Sequence, residues 1–368
     1  MRDNDVRFML NAIELSRRGL GATAENPPVG CVIVNEGVIV GRGFTARTGR
    51  PHAETIALTQ AGALARGATA YVTLEPCAHH GQTLPCSEAL IHAGISRVVC
   101  ALQDPDNRVS GKGLAQLAEN GINVITDVCA SQARQVLAGY LSRKTLNKPS
   151  VILKLAMSKD EKLATNDPDK RWITGQLARD RGHLMRSQCD AIIVGVGTVI
   201  EDDPDLTCRL KGLEDRSPLR VIIDTKLRTP VTSRLVESAS DVPVMIACSL
   251  DVEIEQSMKL YEKGIEIIPC NVKDGRVDLA DLLAKLADHG INRTLFEGGA
   301  KIADTLIKAR LIDELAVFKA PYRIGKKGTP AFATTTLHKT VKLLGMRKTS
   351  KLKVGDDELS LYHKRDKS

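Results

Sequence analysis

The sequence predicts an α/β protein built from two domains, and three observations lead to this prediction. The chain has 368 residues, whereas a single domain usually has about 100–200. Apolar strand-like segments alternate with helical patterns along both halves of the chain, which is typical of layered α/β domains. Between the halves, residues 142–150 form a polar segment that contains Pro149. We therefore predict domains at residues 1–146 and 147–368.

In the first domain, a helical pattern begins near the N-terminus, and five strands and four further helices follow it. Strands are predicted at 30–34, 38–43, 70–74 and 97–102, with a short one reaching residue 125. Asn35-Glu36-Gly37 separates the first two strands and predicts a hairpin turn. Helices are predicted at 53–62, 86–93 and about 130–143, with one more before residue 125.

The second domain continues the alternation and becomes rich in strands towards its end. Apolar strands are predicted at 151–155, 191–196, 220–224, 244–247, 294–296 and 314–318. Helical patterns occur near 175–187, 251–263, 278–289 and 301–310. The last predicted strands are 341–347 and 358–363.

Composition limits the class of protein. Hydrophobic residues make up 43% of the chain, and no apolar run approaches the roughly 18 residues that a membrane helix needs. We therefore expect a soluble protein with no membrane partner, and the N-terminus lacks the pattern of a secretory signal. The nine cysteines are an odd number scattered singly, which argues against a disulfide framework and indicates a cytoplasmic location.

The positive charge is concentrated at one end of the chain. The net charge is +8, and from Phe318 onward 13 Lys/Arg oppose 4 Asp/Glu, a net of +9. A basic tail of this kind is usually a solvated surface. The alternatives are attraction for phosphorylated small molecules or for RNA.

The sharpest motif is His52-Ala53-Glu54, followed by Pro76-Cys77 and then Cys86. One imidazole and two thiolates suit Zn²⁺, and three protein ligands leave a fourth position for water. Zinc lowers the pKa of bound water towards about 7, so hydroxide is available at neutral pH. Glu54 is the candidate for carrying protons between that water and a substrate. Alternatively, these side chains are core residues, or His79 or His80 completes a structural four-ligand site.

The motif resembles the zinc nucleobase-deaminase signature H-x-E…P-C-x-x-C, except that eight residues separate the cysteines. The stretch from Glu75 to Cys86, EPCAHHGQTLPC, resembles the deaminase half of the bifunctional deaminase–reductase family of riboflavin biosynthesis. Asn26-Pro27-Pro28-Val29-Gly30 and Gln103-Asp104-Pro105 are similar to other deaminase motifs of that family. The resemblance implies a cytidine-deaminase-like three-layer domain at the N-terminus.

Glycine-containing segments in the second half extend the resemblance. Val194-Gly195-Val196-Gly197-Thr198 lacks the third glycine of the dinucleotide-binding fingerprint, so a standard Rossmann interpretation fails. Thr294 to Ala300 is a strand that runs into Gly298-Gly299 before a helix, an arrangement that can bind phosphate. Either pair of glycines could instead form a tight turn. In order along the chain, these segments resemble the reductase half of the same family and imply a dihydrofolate-reductase-like domain.

The resemblance implies two sets of site residues in the second domain. The residues that would line an NADPH site are Ala156, Trp172, Thr198, Asp202, Thr225, Gly299 and Ala300. The residues that would contact the ribose phosphate of the substrate are Arg186, Leu206, Arg209 and Glu297. Arginine suits this role because it pairs with phosphate through two hydrogen bonds. Each arginine could instead be a surface residue, and Trp172 could be a core residue.

Two positions depart from the family pattern. Glu161 stands where glycine is usual, and Lys170 stands where a small polar residue is common. If position 161 has φ > 0, glutamate costs about 1–2 kcal/mol. These departures bear on the reductase half alone.

Two consecutive reactions on a phosphorylated pyrimidine are implied. The first is zinc-dependent hydrolytic deamination of 2,5-diamino-6-(5-phosphoribosylamino)pyrimidin-4-one. The second is NADPH-dependent reduction of the ribosyl chain to ribityl. The family resemblance also implies a homo-oligomer and no nucleic-acid partner. The competing hypotheses are a nucleic-acid base deaminase and a non-enzymatic RNA-binding protein with a structural zinc.

Overall fold

The chain divides into two compact units, Met1–Lys148 and Pro149–Ser368. The computed structural model describes residues 2–80, 84–164 and 172–364. Each unit is an α/β structure with a hydrophobic core of its own. Among the described residues, no helix combines the length and the apolar character needed to cross a membrane.

The first unit contains one five-stranded sheet. Its strands are β1 (Gly30–Asn35), β2 (Val38–Phe44), β3 (Thr69–Val72), β4 (Arg97–Cys100) and β5 (Asn123–Ile125). Their spatial order is β2-β1-β3-β4-β5; β1 is antiparallel to β2 and β3, whereas β3, β4 and β5 are parallel. The five α-helices are α1 (Arg2–Ser16), α2 (Ala53–Ala61), α3 (Cys86–His92), α4 (Lys112–Glu119) and α5 (Ala130–Leu146).

Glycines on the first two strands let helices pack against both faces of this sheet. A Cβ at Gly30 would lie 1.9 Å from Ala12 O of α1, and a Cβ at Gly43 would lie 2.1 Å from Ala53 O of α2. Gly43 pairs with Cys31, which follows Gly30, and consecutive strand residues point to opposite faces. Helices α1 and α2 therefore cover opposite faces, which confirms the predicted three-layer architecture.

The hairpin turn between β1 and β2 is also confirmed. Glu36 and Gly37 both have positive φ, 48° and 78°. Positive φ at both central residues is the requirement of the type I′ turn, whose twist matches that of two antiparallel strands. Gly37 meets this requirement without the steric cost that a side chain carries.

The second unit contains a nine-stranded sheet and two short ribbons. The strands of the large sheet are β6 (Ser150–Met157), β8 (Ala191–Gly195), β9 (Leu219–Ile223), β10 (Val244–Ser249), β11 (Glu266–Cys270), β14 (Arg293–Glu297), β15 (Glu314–Lys319), β17 (Met346–Val354) and β18 (Asp357–Lys364). The ribbons pair β7 (Lys162–Ala164) with β16 (Thr329–Pro330), and β12 (Val272–Lys273) with β13 (Arg276–Val277). The helices are α6 (Gln176–Ser187), α7 (Val196–Asp202), α8 (Arg234–Glu237), α9 (Ile254–Tyr261), α10 (Leu279–Asp288), α11 (Ala300–Lys308) and α12 (Leu337–Leu343).

The order of the large sheet is β11-β10-β9-β8-β14-β6-β15-β18-β17. The seven strands from β11 to β15 are parallel, and β18 and β17 add an antiparallel edge. Because the carboxyl ends of parallel strands lie at one edge, the segments after β6, β8, β9 and β14 are brought together there. This edge is the place where ligands bind in open α/β sheets.

One predicted element of the second unit is wrong. Residues 341–347 were expected to form a strand, but α12 extends to Leu343 and β17 begins at Met346. The Thr336 hydroxyl accepts a hydrogen bond from Lys339 N at the start of this helix, and Gly345 follows its end with φ of 64°. A threonine cap and a glycine with positive φ are ordinary helix boundaries, and they outweigh the local β-propensity of Val341.

Candidate metal centre and cofactor site

Three side chains of the first unit meet at one point. His52 Nδ1 lies 3.3 Å from Cys86 Sγ and 3.6 Å from Cys77 Sγ. The three potential ligand atoms lie within 4.8 Å of one another. One imidazole nitrogen and two sulfurs form a donor set that suits Zn²⁺, and a tetrahedral ion held by them has one coordination position left. The donor set therefore fits a catalytic zinc rather than a closed structural site.

Helix starts and one loop place these ligands. His52 is the residue before α2, and Cys86 is the first residue of α3. Cys77 follows β3 in a loop that is tied to α3, because Cys86 N donates to Cys77 Sγ at 3.4 Å and the Ser87 hydroxyl donates to Cys77 O at 3.0 Å. The eight-residue insert between the cysteines includes residues 81–83, which lie outside the described residues.

The two cysteines carry their charge unequally. Hydrogen bonds from Cys86 and His52 lower the pKa of Cys77 to about 4 against the effect of burial. The hydrogen bond to Cys77 and burial raise the pKa of Cys86. Cys77 is therefore the thiolate of the metal-free pair, and Cys86 would release its proton on binding a metal, because cysteine binds metal as a thiolate.

Glu54 is buried beside this cluster, with 3% of its surface exposed. Burial and the neighbouring Cys77 raise its pKa to about 7, although His52 acts in the opposite direction. A carboxyl group with a pKa near neutrality can both accept and release a proton at physiological pH. His79 Nδ1 is buried without a hydrogen-bond partner among the described residues, while His80 lies 3.1 Å from Glu88. Neither histidine joins the metal-ligand cluster.

Glu75 is a residue that the sequence did not single out for a role of its own. Its carboxylate accepts hydrogen bonds from four backbone amides: Asp104 N at 3.2 Å, Gly111 N at 3.0 Å, Gly113 N at 3.0 Å and Leu114 N at 3.3 Å. A carboxylate that accepts several backbone amides fixes the loops that carry them. Glu75 thereby joins the chain just before Cys77 to the start of α4.

A cavity of about 200 Å³ opens onto the metal cluster. Its deeper lining includes Glu54, Glu75 and Asp104, each of which is at most 5% exposed. Asp104 accepts a hydrogen bond from the Tyr140 hydroxyl at 3.0 Å, and burial raises its pKa to about 6. The solvent-facing lining contains four cations, Arg50, Arg108, Arg143 and Lys144, and one exposed acid, Glu25, so its net charge is positive. No local sequence pattern indicated these cations, because they come from three separate segments of the chain.

The second unit gathers most of its predicted cofactor residues at the carboxyl edge of its sheet. Thr198 follows β8, Thr225 follows β9, and Gly299 and Ala300 follow β14. Ala156 lies near the end of β6, which is the neighbour of β14. Asp202 ends α7, and Trp172 precedes α6 with the Arg179 guanidinium 5.2 Å from its ring centroid. Their contacts with NADPH stay a prediction, and Lys170 lies outside the described residues.

The glycines at this edge serve two different purposes. A Cβ at Gly195 or Gly298 would lie 3.0 Å or 3.3 Å from Ile302 Cδ1, so these two glycines make room for α11. A Cβ at Gly197 or Gly299 would meet no heavy atom within 4 Å. The backbone at these two positions is open to a ligand, which fits a phosphate-bearing cofactor beside the start of α11.

Glu297 is the centre of a charged group at the end of β14. Arg186 donates to both of its oxygens, at 2.9 and 3.0 Å, and Lys154 Nζ lies 3.5 Å from Glu297 Oε2. The charges of Arg186 and Lys154 lower the pKa of Glu297 strongly against burial. Lys154, for which the sequence indicated no role of its own, is thus part of the candidate substrate site.

The remaining predicted substrate residues border this group. Arg186 Nη1 donates to Thr207 O at 3.0 Å, next to Leu206, which is buried with φ of 56°. Arg209 is exposed and its guanidinium donates to Asp205 at 3.0 Å, while its backbone amide donates to His183. Arg186 and Leu206 are therefore packed into the site, whereas Arg209 lies at its surface.

Comparison with known families gives two matches, one in each unit. Residues 149–357 match the RibD C-terminal domain. Residues 2–102 match the cytidine and deoxycytidylate deaminase zinc-binding region. The second match contains all three candidate metal ligands and Glu54.

Individual proteins and solved structures agree with these matches. The chain is 39% identical to riboflavin biosynthesis protein RibD of Aquifex aeolicus (strain VF5), over 89% of this chain and 89% of that one. It is 38% identical to RibD of Escherichia coli (strain K12), over 87% of this chain and 89% of that one. Its fold is similar to that of Acinetobacter baumannii RibD, with a TM-score of 0.87, 34% identity and complete coverage of both chains. It is also similar to a diaminohydroxyphosphoribosylaminopyrimidine deaminase/5-amino-6-(5-phosphoribosylamino)uracil reductase from Thermotoga maritima, with a TM-score of 0.84, 31% identity and 99% coverage of both chains.

Proposed function

The chain belongs to the RibD family of bifunctional riboflavin-biosynthesis enzymes, and from this premise we propose how its residues divide the two reactions. Residues 1–146 carry out the hydrolytic deamination of 2,5-diamino-6-(5-phosphoribosylamino)pyrimidin-4-one. Residues 147–368 reduce the ribosyl chain of the deaminated product to ribityl with NADPH. The observation that carries the first assignment is the meeting of His52, Cys77 and Cys86 beside the buried Glu54.

In the first unit, His52 Nδ1 and the sulfurs of Cys77 and Cys86 hold Zn²⁺. When bound, zinc acts as a Lewis acid that lowers the pKa of a coordinated water towards about 7. Glu54 accepts a proton from the attacking water and passes it to the pyrimidine ring and then to the departing ammonia. Its burial favours this role, because the carboxyl group exchanges protons with the reactants rather than with bulk solvent.

In the second unit, the candidate cofactor residues bind NADPH at the carboxyl edge of the sheet. NADPH supplies the hydride, which goes to C1′ of the ribose, and the protein supplies orientation and electrostatics. Arg186, Leu206, Arg209 and Glu297 contact the ribose phosphate. Glu297 orients the substrate. Lys154 and Arg186 hold its carboxylate in place, and the remaining lone pairs of the carboxylate can accept hydrogen bonds from ribose hydroxyls.

The expectations about partners and location belong to the same proposal. The substrate is a phosphorylated small molecule, no nucleic acid is bound, and the chain forms a homo-oligomer in the cytoplasm. The nine free cysteines, seven of which are buried, support a reducing compartment. Light scattering on the purified protein measures the oligomeric state, and a filter-binding assay with polynucleotide at two salt concentrations tests for nucleic-acid binding.

Substitution of Glu54 by Gln tests the deaminase assignment. We expect ammonia release from the diamino substrate to fall by about 10²- to 10⁴-fold, the usual contribution of a general acid–base. Zinc content should stay at the wild-type value, because Glu54 is outside the ligand set. The measurements are enzymatic ammonia detection and metal analysis of the same preparation.

Glu119→Gln is the matched control, because Glu119 is an exposed carboxylate on α4 of the same unit. It should keep both the zinc content and the rate of ammonia release. Full activity in Glu54→Gln would refute the proton-transfer role. A wild-type protein that binds zinc but releases no ammonia would favour the RNA-binding alternative.

A further inference from the structure

The solvent-facing rim of the first unit's cavity has a net positive charge, because Arg50, Arg108, Arg143 and Lys144 outnumber the exposed Glu25, although its floor is acidic. Glu54, Glu75 and Asp104 are buried in the lining, whereas Arg108 has 65% and Lys144 has 25% of its side-chain surface exposed. A ligand bound at the metal cluster would therefore have its inner end against the buried acidic floor. The part that extends towards solvent would lie beside the cations of the rim. Such a field favours a ligand with a negative charge on its outer end.

One buried carboxylate sets the position of two rim cations. Asp106 is 8% exposed. Its Oδ1 accepts from Arg108 Nε at 3.0 Å, and its Oδ2 accepts from Arg108 Nη2 at 2.7 Å. Lys144 Nζ lies 2.9 Å from the same Oδ2. The hydrogen bonds from Arg108 and Lys144 lower the pKa of Asp106. Asp106 is therefore a carboxylate anion, and it neutralises one of the two positive charges of Arg108 and Lys144.

The two cations retain hydrogen-bonding capacity after this pairing. Arg108 Nη1 has no hydrogen-bond partner within residues 2–80, 84–164 and 172–364. Lys144 has three donors, of which Asp106 accepts one. The Lys144 ammonium also lies 5.8 Å from the ring centroid of Tyr140, whose hydroxyl donates to the buried Asp104. The rim cations are thus fixed by contacts on their inner side while donors remain available on the outer side.

A phosphate monoester matches this arrangement. It carries close to two negative charges near pH 7, and its three terminal oxygens are strong acceptors. A planar guanidinium and a pre-positioned ammonium are the side chains that recognise it best. The net charge of the Asp106–Arg108–Lys144 triad is +1, so the triad attracts a phosphate and offsets one of its negative charges, whereas it has no net charge attraction for a neutral sugar.

We propose that Arg108 and Lys144, held in place by Asp106, bind the phosphate group of the deaminase substrate. This proposal rests on the proposed function of the first unit and adds to it the residues that select the phosphorylated form. Asp106 is a positioning residue, because it acts through the two cations.

The test compares two substrates in the full-length protein. Arg108→Gln and Lys144→Gln are each assayed for ammonia release from the phosphorylated diamino substrate and from its dephosphorylated form. We expect the ratio of the two kcat/KM values to fall by about 10- to 100-fold in each variant, because a charged hydrogen bond is lost only with the phosphorylated substrate. The loss should appear mainly in KM. Arg134→Gln, which removes an exposed cation of α5 outside the cavity, should keep the wild-type ratio.

A binding measurement separates failure of this proposal from failure of the proposed function. Calorimetric titration with ribose 5-phosphate needs no turnover, and we expect the double variant Arg108→Gln/Lys144→Gln to lose one binding event that the wild type shows. An unchanged titration, or an unchanged ratio of kcat/KM values, would overturn the phosphate assignment. Absence of ammonia release from the wild type, with ribose 5-phosphate binding still dependent on both cations, would refute the deaminase function and keep the phosphate site.

Discussion

At the scale of single residues, the structure shows which contact the side chain of Glu161 makes at a position where the family usually has glycine. Glu161 has φ of 61°, the left-handed region that glycine tolerates best. Its Oε2 accepts a hydrogen bond from Leu337 N at 3.1 Å, at the first residue of α12. A carboxylate at a helix N-terminus is stabilising. The side chain therefore offsets part of the backbone strain that it introduces.

A pair of variants separates the two effects at Glu161. Glu161→Ala keeps the strain and loses the helix contact, so we expect it to lower the free energy of unfolding by about 1 kcal/mol. Glu161→Gly loses the same contact but relieves the strain, so it should be more stable than Glu161→Ala by about 1 kcal/mol. Urea denaturation measures both variants. Wild-type stability in Glu161→Ala would show that the bond to Leu337 contributes nothing.

At the scale of elements, close packing between α2 and β2 decides where the metal ligand His52 lies. A Cβ at Gly41 would lie 2.2 Å from Ala57 O, and one at Gly43 would lie 2.1 Å from Ala53 O. Both distances are impossible for a real side chain, so α2 can approach the sheet this closely only above glycine. The helix begins next to His52 and carries Glu54 in its first turn.

Gly43→Ala tests this dependence. The added methyl group must push the start of α2 away from β2, and we expect a loss of stability of about 1–3 kcal/mol, as for other overpacked sites. Zinc content and ammonia release should fall together, because His52 and Glu54 move with the helix. Thermal unfolding, metal analysis and the ammonia assay are the measurements.

Gly182→Ala is the control for this substitution. Gly182 lies in α6, and a Cβ there would meet no heavy atom within 4 Å. Alanine should therefore be tolerated or stabilise the helix by up to about 1 kcal/mol. If Gly43→Ala kept its zinc and its activity, the close approach of α2 would not be what positions the ligands.

The edges of the large sheet explain the charge at the end of the chain. Strand β17 is one edge, and its Arg347, Lys348, Lys351 and Lys353 are all exposed. The opposite edge, β11, contains Pro269. Charged side chains and proline on edge strands discourage pairing with another sheet. Part of the basic excess after Phe318 thus belongs to an edge strand, which favours the solvated-surface interpretation over RNA binding.

At the scale of the whole molecule, the two candidate sites lie in separate units with separate cores. Within the described parts of the chain, His52, Cys77 and Cys86 are the single group of three or more side chains arranged as metal ligands, and they belong to the first unit. The charged group around Glu297 belongs to the second unit. Metal dependence should therefore distinguish the two reactions.

Removal of zinc by a chelator is the corresponding experiment. We expect ammonia release from the diamino substrate to be lost and to return when Zn²⁺ is added back. Oxidation of NADPH with the deaminated substrate should persist in the same metal-free preparation, because its candidate residues include no metal ligand. Absorbance of NADPH and ammonia detection follow the two reactions. Parallel loss of both would contradict a division of the chemistry between the units.

The predicted fold was correct where local patterns and packing agree. The five strands of the first unit and six of the seven parallel strands of the second follow from apolar runs bounded by turns. The prediction failed at 341–347, where Thr336 and Gly345 define a helix that the apolar pattern did not show. Strand β11 was missed as well. Its apolar stretch is short and contains Pro269, so only pairing with β10 identifies it.

The sequence by itself determined the chemistry of the metal site, because nitrogen and sulfur ligands and a nearby carboxyl group are a property of residue types and their order. Tertiary structure alone decided which cations share the cavity with them. Arg108 and Lys144 are 36 positions apart, and Asp106 joins them only after α5 packs beside the loop that follows β4. No rule of residue spacing predicts this contact between α5 and the loop after β4, because distances between elements are set by packing in three dimensions rather than by order along the chain.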